Sequence, residues 1–179
     1  VNRAASYTRT AIILHWVIAL SIFGLLAVGL YMEDLKASPE KIRLYLMHKS
    51  FGLTVLALVI VRIVWRLTHR PPELPPATPS WQRAAASFSH FALYFLMLLM
   101  PVSGWLMNSA SGFPLKWFGM VPIPALMGTD SEARELWESV HAVSAWLLMA
   151  LIAVHIAAAL KHHFINRDQV LRRMLSKPR

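Results

Sequence analysis

"WLLMALIAVHIAAALKHHF", residues Trp146 to Phe164, is hydrocarbon on both sides of His155 and then ends on Lys161, His162 and His163. An ionisable group inside a membrane helix costs free energy unless it has a partner, so by default it marks a functional site. His155 therefore needs a partner elsewhere in the chain, and the rest of the sequence is read for it.

The 179 residues are 56% hydrophobic and 15% charged, with mean hydropathy +0.48. That composition belongs to the membrane class. The absence of cysteine removes disulfides, thiolate zinc sites, iron–sulfur clusters and thioether-linked haem. A metal would have to be held by histidine, carboxylate or methionine. The net charge of +9 sits at the ends of apolar runs, which reads as membrane orientation and not as a nucleic-acid surface. The first apolar run is as long as a span, and no cleavable signal is expected.

Four apolar segments reach the roughly 20 residues that a bilayer crossing needs: Ala11 to Tyr31, Leu44 to Trp65, Ala84 to Met107 and Val140 to Leu160. The expectation is one all-α domain over residues 1–179, a four-helix transmembrane bundle. Its connections are a short acidic loop, the proline-rich "HRPPELPPATPSW" and a longer loop containing "SGFPLKWFGMVPIPALMG". Most Lys and Arg residues, including Arg3, Arg9, Arg66, Arg70, Arg83, Lys177 and Arg179, flank the same ends of the spans, while Glu33, Asp34, Glu132, Glu135 and Glu138 lie on the other side. Both termini are accordingly expected in the cytoplasm. Arg62, near the end of span two, is expected to snorkel to the headgroups. Pro101 is expected to kink span three or mark a packing site, with "SGWLMNSASG" as a frayed helix end. The basic tail "NRDQVLRRMLSKPR" is expected to anchor on anionic headgroups.

His15 lies near the cytoplasmic start of span one, His48 near the external start of span two, and His141 and His155 on span four. The 14 residues between the last two amount to about 21 Å of rise and return within roughly 40° of the same face. Depth then pairs His48 with His141 outside and His15 with His155 inside. Two imidazoles from facing helices can clamp a haem from both sides of its plane, an arrangement without an open position that favours electron transfer. The small residues of "FGL", "SIFG", "HAVSAW" and "HIAAAL" would let a flat macrocycle approach. His90 is expected to make a structural hydrogen bond, with a substitute-ligand role as the alternative. His69 is expected in solvent, and Phe91, Tyr94, Phe95, Met97 and Met100 are read as packing.

"AIILHW", "HKSFGLTVLALVIVRIVWR", "FALYFLMLLMPVSGW" and "VHAVSAWLLMALIAVHIAAALKHHF", in that order and spacing, resemble the bacterial cytochrome b561 family from about Arg9 to about Leu175. The resemblance implies a di-haem b-type cytochrome of the bacterial inner membrane that moves electrons between a donor and the quinone pool. The family's haem ligands fall on His15, His48, His141 and His155. "HHF" followed by an acid and a basic tail is similar to a superoxide oxidase branch, which passes electrons from superoxide through two haems to ubiquinone. There His162 would lie close to the quinone, with Lys161, Arg66 and Trp16 as neighbours. Lys36, Lys41, Arg43, Lys49, Lys116 and Arg134 would attract superoxide by electrostatic steering. Other members serve hydrogenases or dehydrogenases as cytochrome b subunits, which is the alternative here. A histidine-lined metal or proton transporter and a scaffold with histidines as helix glue are further alternatives; two depths and no internal repeat count against the transporter.

Overall fold

A computed structural model describes residues 6–76 and 78–175; Arg3, Lys177 and Arg179, which entered the charge argument, lie outside them. Four long helices dominate: α1 (Arg9–Asp34), α2 (Pro39–Thr68), α3 (Ser80–Ala110) and α4 (Ser131–Phe164). Each is long and apolar enough to cross a membrane. Between α3 and α4, where the sequence suggests only a loop, Leu115–Trp117 (β1) and Val121–Ile123 (β2) form a two-stranded antiparallel hairpin. A short α5 (Arg172–Leu175) follows α4.

The starts of α1, α2 and α4 are set by side chains that accept from otherwise orphan N–H groups, whereas α3 follows Pro79 without a side-chain cap. Thr8 Oγ1 accepts from Ala11 N, Ser38 Oγ from Lys41 N just ahead of Pro39, and Asp130 Oδ1 from Glu132 N and Ala133 N. The bundle is apolar outside as well as inside. Leu20, Phe88 and Trp146 are each about two-thirds exposed, a surface that only lipid can cover.

The packing is uneven. α1 packs on α2, α2 on α3, and α3 most extensively on α4, whereas α4 approaches α1 and α2 far less closely. Ile18, Ile22, Val55, Val59, Leu96 and Leu148 fill the centre of the bundle. Leu148 is midway along α4 between His141 and His155, so this apolar layer separates two polar levels.

Candidate haem-binding site

The space between α4 and the α1–α2 pair is bridged by histidine rings. At the hairpin end, His48 of α2 and His141 of α4 have ring centroids 6.5 Å apart. At the end that carries the termini, His15 of α1 and His155 of α4 are 6.3 Å apart. These are the partners that depth along the spans brings together. An imidazole nitrogen sits about 2 Å from a first-row metal, so two rings on opposite sides of one metal lie about 6 Å apart between centroids. Both pairs have that spacing. Among the described residues no group of three or more His, Cys, Asp or Glu side chains is arranged to hold a metal ion. Each pair thus offers two donors, which suits a planar group that brings its own equatorial nitrogens.

A cavity of about 350 Å³ adjoins the hairpin-end pair, lined by Gly29, His48, Gly52, Gly104, His141 and Ala145 among others. The absence of side chains at two glycines matters here. A Cβ on Gly104 would stand 3.2 Å from His141 Cε1, and one on Gly29 would stand 3.5 Å from His48 Cε1. Gly52, within "FGL", borders the same cavity, but Gly29 and Gly104 are the glycines beside the rings, and neither carries a distinguishing signal in the sequence. His48 Nδ1 is buried without a hydrogen-bond partner among the described residues.

His141 is held from behind. Its Nδ1 lies 3.0 Å from Met100 O and 3.1 Å from Ser103 Oγ, and that hydroxyl donates to the same carbonyl at 2.9 Å. A carbonyl can only accept, so Nδ1 carries the proton and Nε2 keeps its lone pair for a metal. Pro101 loosens this turn of α3, because it has no N–H to give to the preceding turn. The stretch expected to fray continues as helix to Ala110, with Ser103, Asn108 and Ser109 buried.

The other pair has a different surrounding. Arg62 does not snorkel outward: Nη1 donates to Ala11 O at 2.8 Å, Nε donates to Tyr94 Oη at 3.1 Å, and Nη2 stands 3.4 Å from His15 Nδ1. The position near the helix end suggests a headgroup contact, but the side chain lies on the face that looks into the bundle. His90 makes no hydrogen bond among the described residues; its ring centroid is 5.7 Å from that of His155. The structural hydrogen bond expected for His90 is therefore absent among them, and its ring is the third imidazole at the end that holds His15 and His155. His69 is exposed, as expected, and its ring stacks on that of Trp65 at 3.9 Å.

His162 sits at the last turn of α4, with Nδ1 2.5 Å from Asp168 Oδ2 and 3.3 Å from Asn166 Nδ2. The chain reverses through Arg167 at φ 53, and Asp168 N donates to His162 O at 3.1 Å. Left-handed backbone is disfavoured for a residue with a Cβ, and here it is what returns the carboxylate to the imidazole. The expected neighbours contribute otherwise: Trp16 Nε1 donates to Met174 O at 2.7 Å, Arg66 lies over the Tyr94 ring at 5.7 Å, and Lys161 offers its carbonyl to Ile165 N and Asn166 N. Arg173 Nη1 donates to Glu73 O at 2.8 Å. The described part of the tail is thus tied to the bundle at Met174 and Arg173.

Of the basic residues considered for steering, Lys49 stands apart. It borders the cavity and donates to Asn108 Oδ1 at 2.7 Å. Lys41 donates to Leu35 O, and Arg134 is paired with Glu138 and Glu135.

The family model for prokaryotic cytochrome b561 matches residues 6–177. Cytochrome b561 homolog 2 of Escherichia coli (strain K12) is 32% identical over 98% of this chain and 94% of the relative. Cytochrome b561 homolog 1 of the same organism is 31% identical over 96% and 97%. A protein of Yersinia pestis named probable superoxide oxidase CybB is 24% identical over 97% of each chain. With four helices able to cross a membrane and a match over almost its whole length, the chain belongs to the prokaryotic cytochrome b561 family of haem b-binding membrane electron-transfer proteins.

Proposed function

We propose that this protein is a superoxide:ubiquinone oxidoreductase of the bacterial inner membrane, with both termini in the cytoplasm. Its four helices would carry two haem b groups, the outer held by His48 and His141 and the inner by His15 and His155. The observation that supports this reading is the pair of facing imidazoles at each end of the bundle, 6.5 Å and 6.3 Å between centroids, with an apolar layer between them. Haem b held by two such histidines would supply a one-electron iron couple, chemistry that suits electron transfer.

The protein's own groups fit the two ends of such a reaction. Overall, two superoxide anions and one ubiquinone plus two protons give two dioxygen molecules and one ubiquinol. Superoxide is a small anion, and Lys49 places a positive charge at the outer cavity, whose lining also includes Glu33 and Glu138; Lys49 is in no ion pair with either among the described residues, which leaves its charge available for steering. Ubiquinone must take up protons as well as electrons, and His162 is a side chain able to hydrogen-bond a quinone carbonyl and to pass a proton. Asp168 fixes the orientation of that ring through Nδ1, leaving Nε2 as the nitrogen free to face the quinone. The proton reaches the quinone oxygen from His162, which is reprotonated from water at the cytoplasmic rim.

A second reading draws on the identities: two relatives at 32% and 31% are named as cytochrome b561 homologs, while a relative named for superoxide is at 24%. In it the chain is a cytochrome b subunit fed by a partner dehydrogenase or hydrogenase. The test is a reduced-minus-oxidised visible spectrum of the purified protein with haem counted per chain, followed by superoxide with a ubiquinone analogue. Two b-type haems, superoxide-driven reduction and ubiquinol formation are expected. Haems that superoxide leaves oxidised would move the donor to a partner protein, and a colourless protein after reconstitution with haem would overturn the ligand assignment.

A further inference from the structure

The two histidine pairs resemble each other in spacing but not in what stands behind them. Behind His141 is a carbonyl, Met100 O, which takes the Nδ1 proton in a 3.0 Å hydrogen bond. Such a partner makes an imidazole more electron-rich and stabilises a more positive metal. Behind His15 is a guanidinium. Arg62 Nη2 is 3.4 Å from His15 Nδ1, too long for a strong hydrogen bond, so its influence is that of a charge. The charge is immobilised, because Nη1 and Nε are tied to Ala11 O and Tyr94 Oη. It is also uncompensated, since Arg62 forms no ion pair with a carboxylate among the described residues, and arginine stays protonated at any physiological pH. The side chain is half-buried in the bundle, where screening by salt is weak.

Taking the haem ligands to be those given under Proposed function, we infer that Arg62 is a positioning residue that holds the inner centre at a higher reduction potential than the outer one. An oxidised iron carries one more positive charge than a reduced iron. A fixed cation beside its ligand therefore disfavours the oxidised form, while the carbonyl behind His141 acts in the opposite sense at the outer level. The two surroundings together make electron movement from the hairpin end to the terminal end downhill. The same asymmetry would serve any donor at the outer end, so the inference does not depend on superoxide.

The experiment is a spectroelectrochemical titration of the full-length, haem-loaded protein and of its Arg62→Gln and Arg62→Lys variants. Wild type is expected to titrate in two steps, and His15→Ala is expected to abolish or disturb the one of higher potential. Arg62→Gln should shift that higher midpoint downward and leave the other in place, and Arg62→Lys should recover most of the shift because it keeps the charge. The inference is overturned if Arg62→Gln leaves the higher midpoint unmoved, if it moves the lower one instead, or if Arg62→Lys shifts it as far as Arg62→Gln. Should neither variant retain the inner haem, the wild-type order still decides: the step disturbed by His15→Ala must be the higher one, and if it is the lower the inference fails. A wild-type protein that binds fewer than two haems would count against the ligand assignment and not against the role of Arg62.

Discussion

A methyl group separates two of the glycines that adjoin the outer pair. At Gly104 a Cβ would sit 3.2 Å from His141 Cε1 and 3.4 Å from Nδ1, inside comfortable contact, whereas at Gly29 it would sit 3.5 Å from His48 Cε1. Gly104→Ala must therefore displace His141 by a few tenths of an ångström from the position that its hydrogen bond to Met100 O sets, and overpacking of this kind costs about 1–3 kcal/mol. We expect low-temperature EPR of the oxidised, haem-loaded protein to show an altered outer signal in Gly104→Ala and a near-native one in Gly29→Ala. Equal spectra for the two would mean that His141 has more freedom than its hydrogen bonds imply. Single residues differ widely in how legible they are from sequence. Depth along an apolar run is arithmetic, so the four histidines pair by counting residues alone. The face on which a side chain lies near a helix end depends on neighbours, so the position of Arg62 suggests headgroups although the side chain faces His15. Pro101 and Ser103 raise no expectation of a site, because a bond from α4 to Met100 O is invisible in the sequence of α3.

The elements with a signal in the sequence are those with a hydrophobic run behind them. Each apolar segment lies within one of the four long helices, and the helices extend past the runs because Thr8, Ser38 and Asp130 cap them at polar residues. The hairpin has no such signal. Three-residue strands broken by Pro122 and Gly119 look like a loop, and their pairing is fixed by helices rather than by their own pattern. Phe118 N donates to Ser50 Oγ at 3.0 Å, Trp117 Nε1 to Thr54 Oγ1 at 3.0 Å, and Trp105 Nε1 to Pro124 O at 2.9 Å. Phe118 itself adopts φ 48, with its ring edge-on to Phe51 at 5.2 Å. Leu115 of the hairpin borders the outer cavity, so the element closes that end of the bundle. Ser50→Ala removes the acceptor of a part-buried backbone N–H, a loss of about 1 kcal/mol, which is roughly a fivefold increase in the open population. Transfer of haem to apomyoglobin from the loaded variant should accelerate by about that factor. An unchanged transfer rate would show that the hairpin does not control access to the cavity. On the same scale, the helical period of span three puts five aromatic and methionine positions together as packing. In the bundle Phe91 and Phe95 face outward, and Tyr94, Met97 and Met100 face in. Only tertiary contacts assign Tyr94 to Arg62.

Across the whole molecule, polar chemistry occupies the two ends and hydrocarbon fills the middle. The hairpin end has a lysine at a histidine-lined cavity, and the terminal end has a histidine oriented by a carboxylate. Such an arrangement requires that damage at one end be invisible at the other. Lys49→Gln removes the cation at the outer cavity, and the rate at which superoxide reduces the loaded protein should fall about 3- to 10-fold, with a weaker dependence on ionic strength. Asp168→Asn keeps the size of the side chain but removes the charge that orients His162, and reoxidation by a ubiquinone analogue should slow by about tenfold or more. Stopped-flow spectroscopy of the two half-reactions separates these effects. Each variant should leave the other half-reaction within about twofold of wild type, because the substitutions lie on opposite sides of the apolar layer and distant sites act independently. If Lys49→Gln slows ubiquinol formation from pre-reduced protein, or if Asp168→Asn slows reduction by superoxide, the ends are not independent and the assignment of donor and acceptor sides falls. If Asp168→Asn leaves both halves untouched, the quinone is served by a group other than His162, and the half-buried His163, whose Nδ1 has no hydrogen-bond partner among the described residues, becomes the first residue to replace.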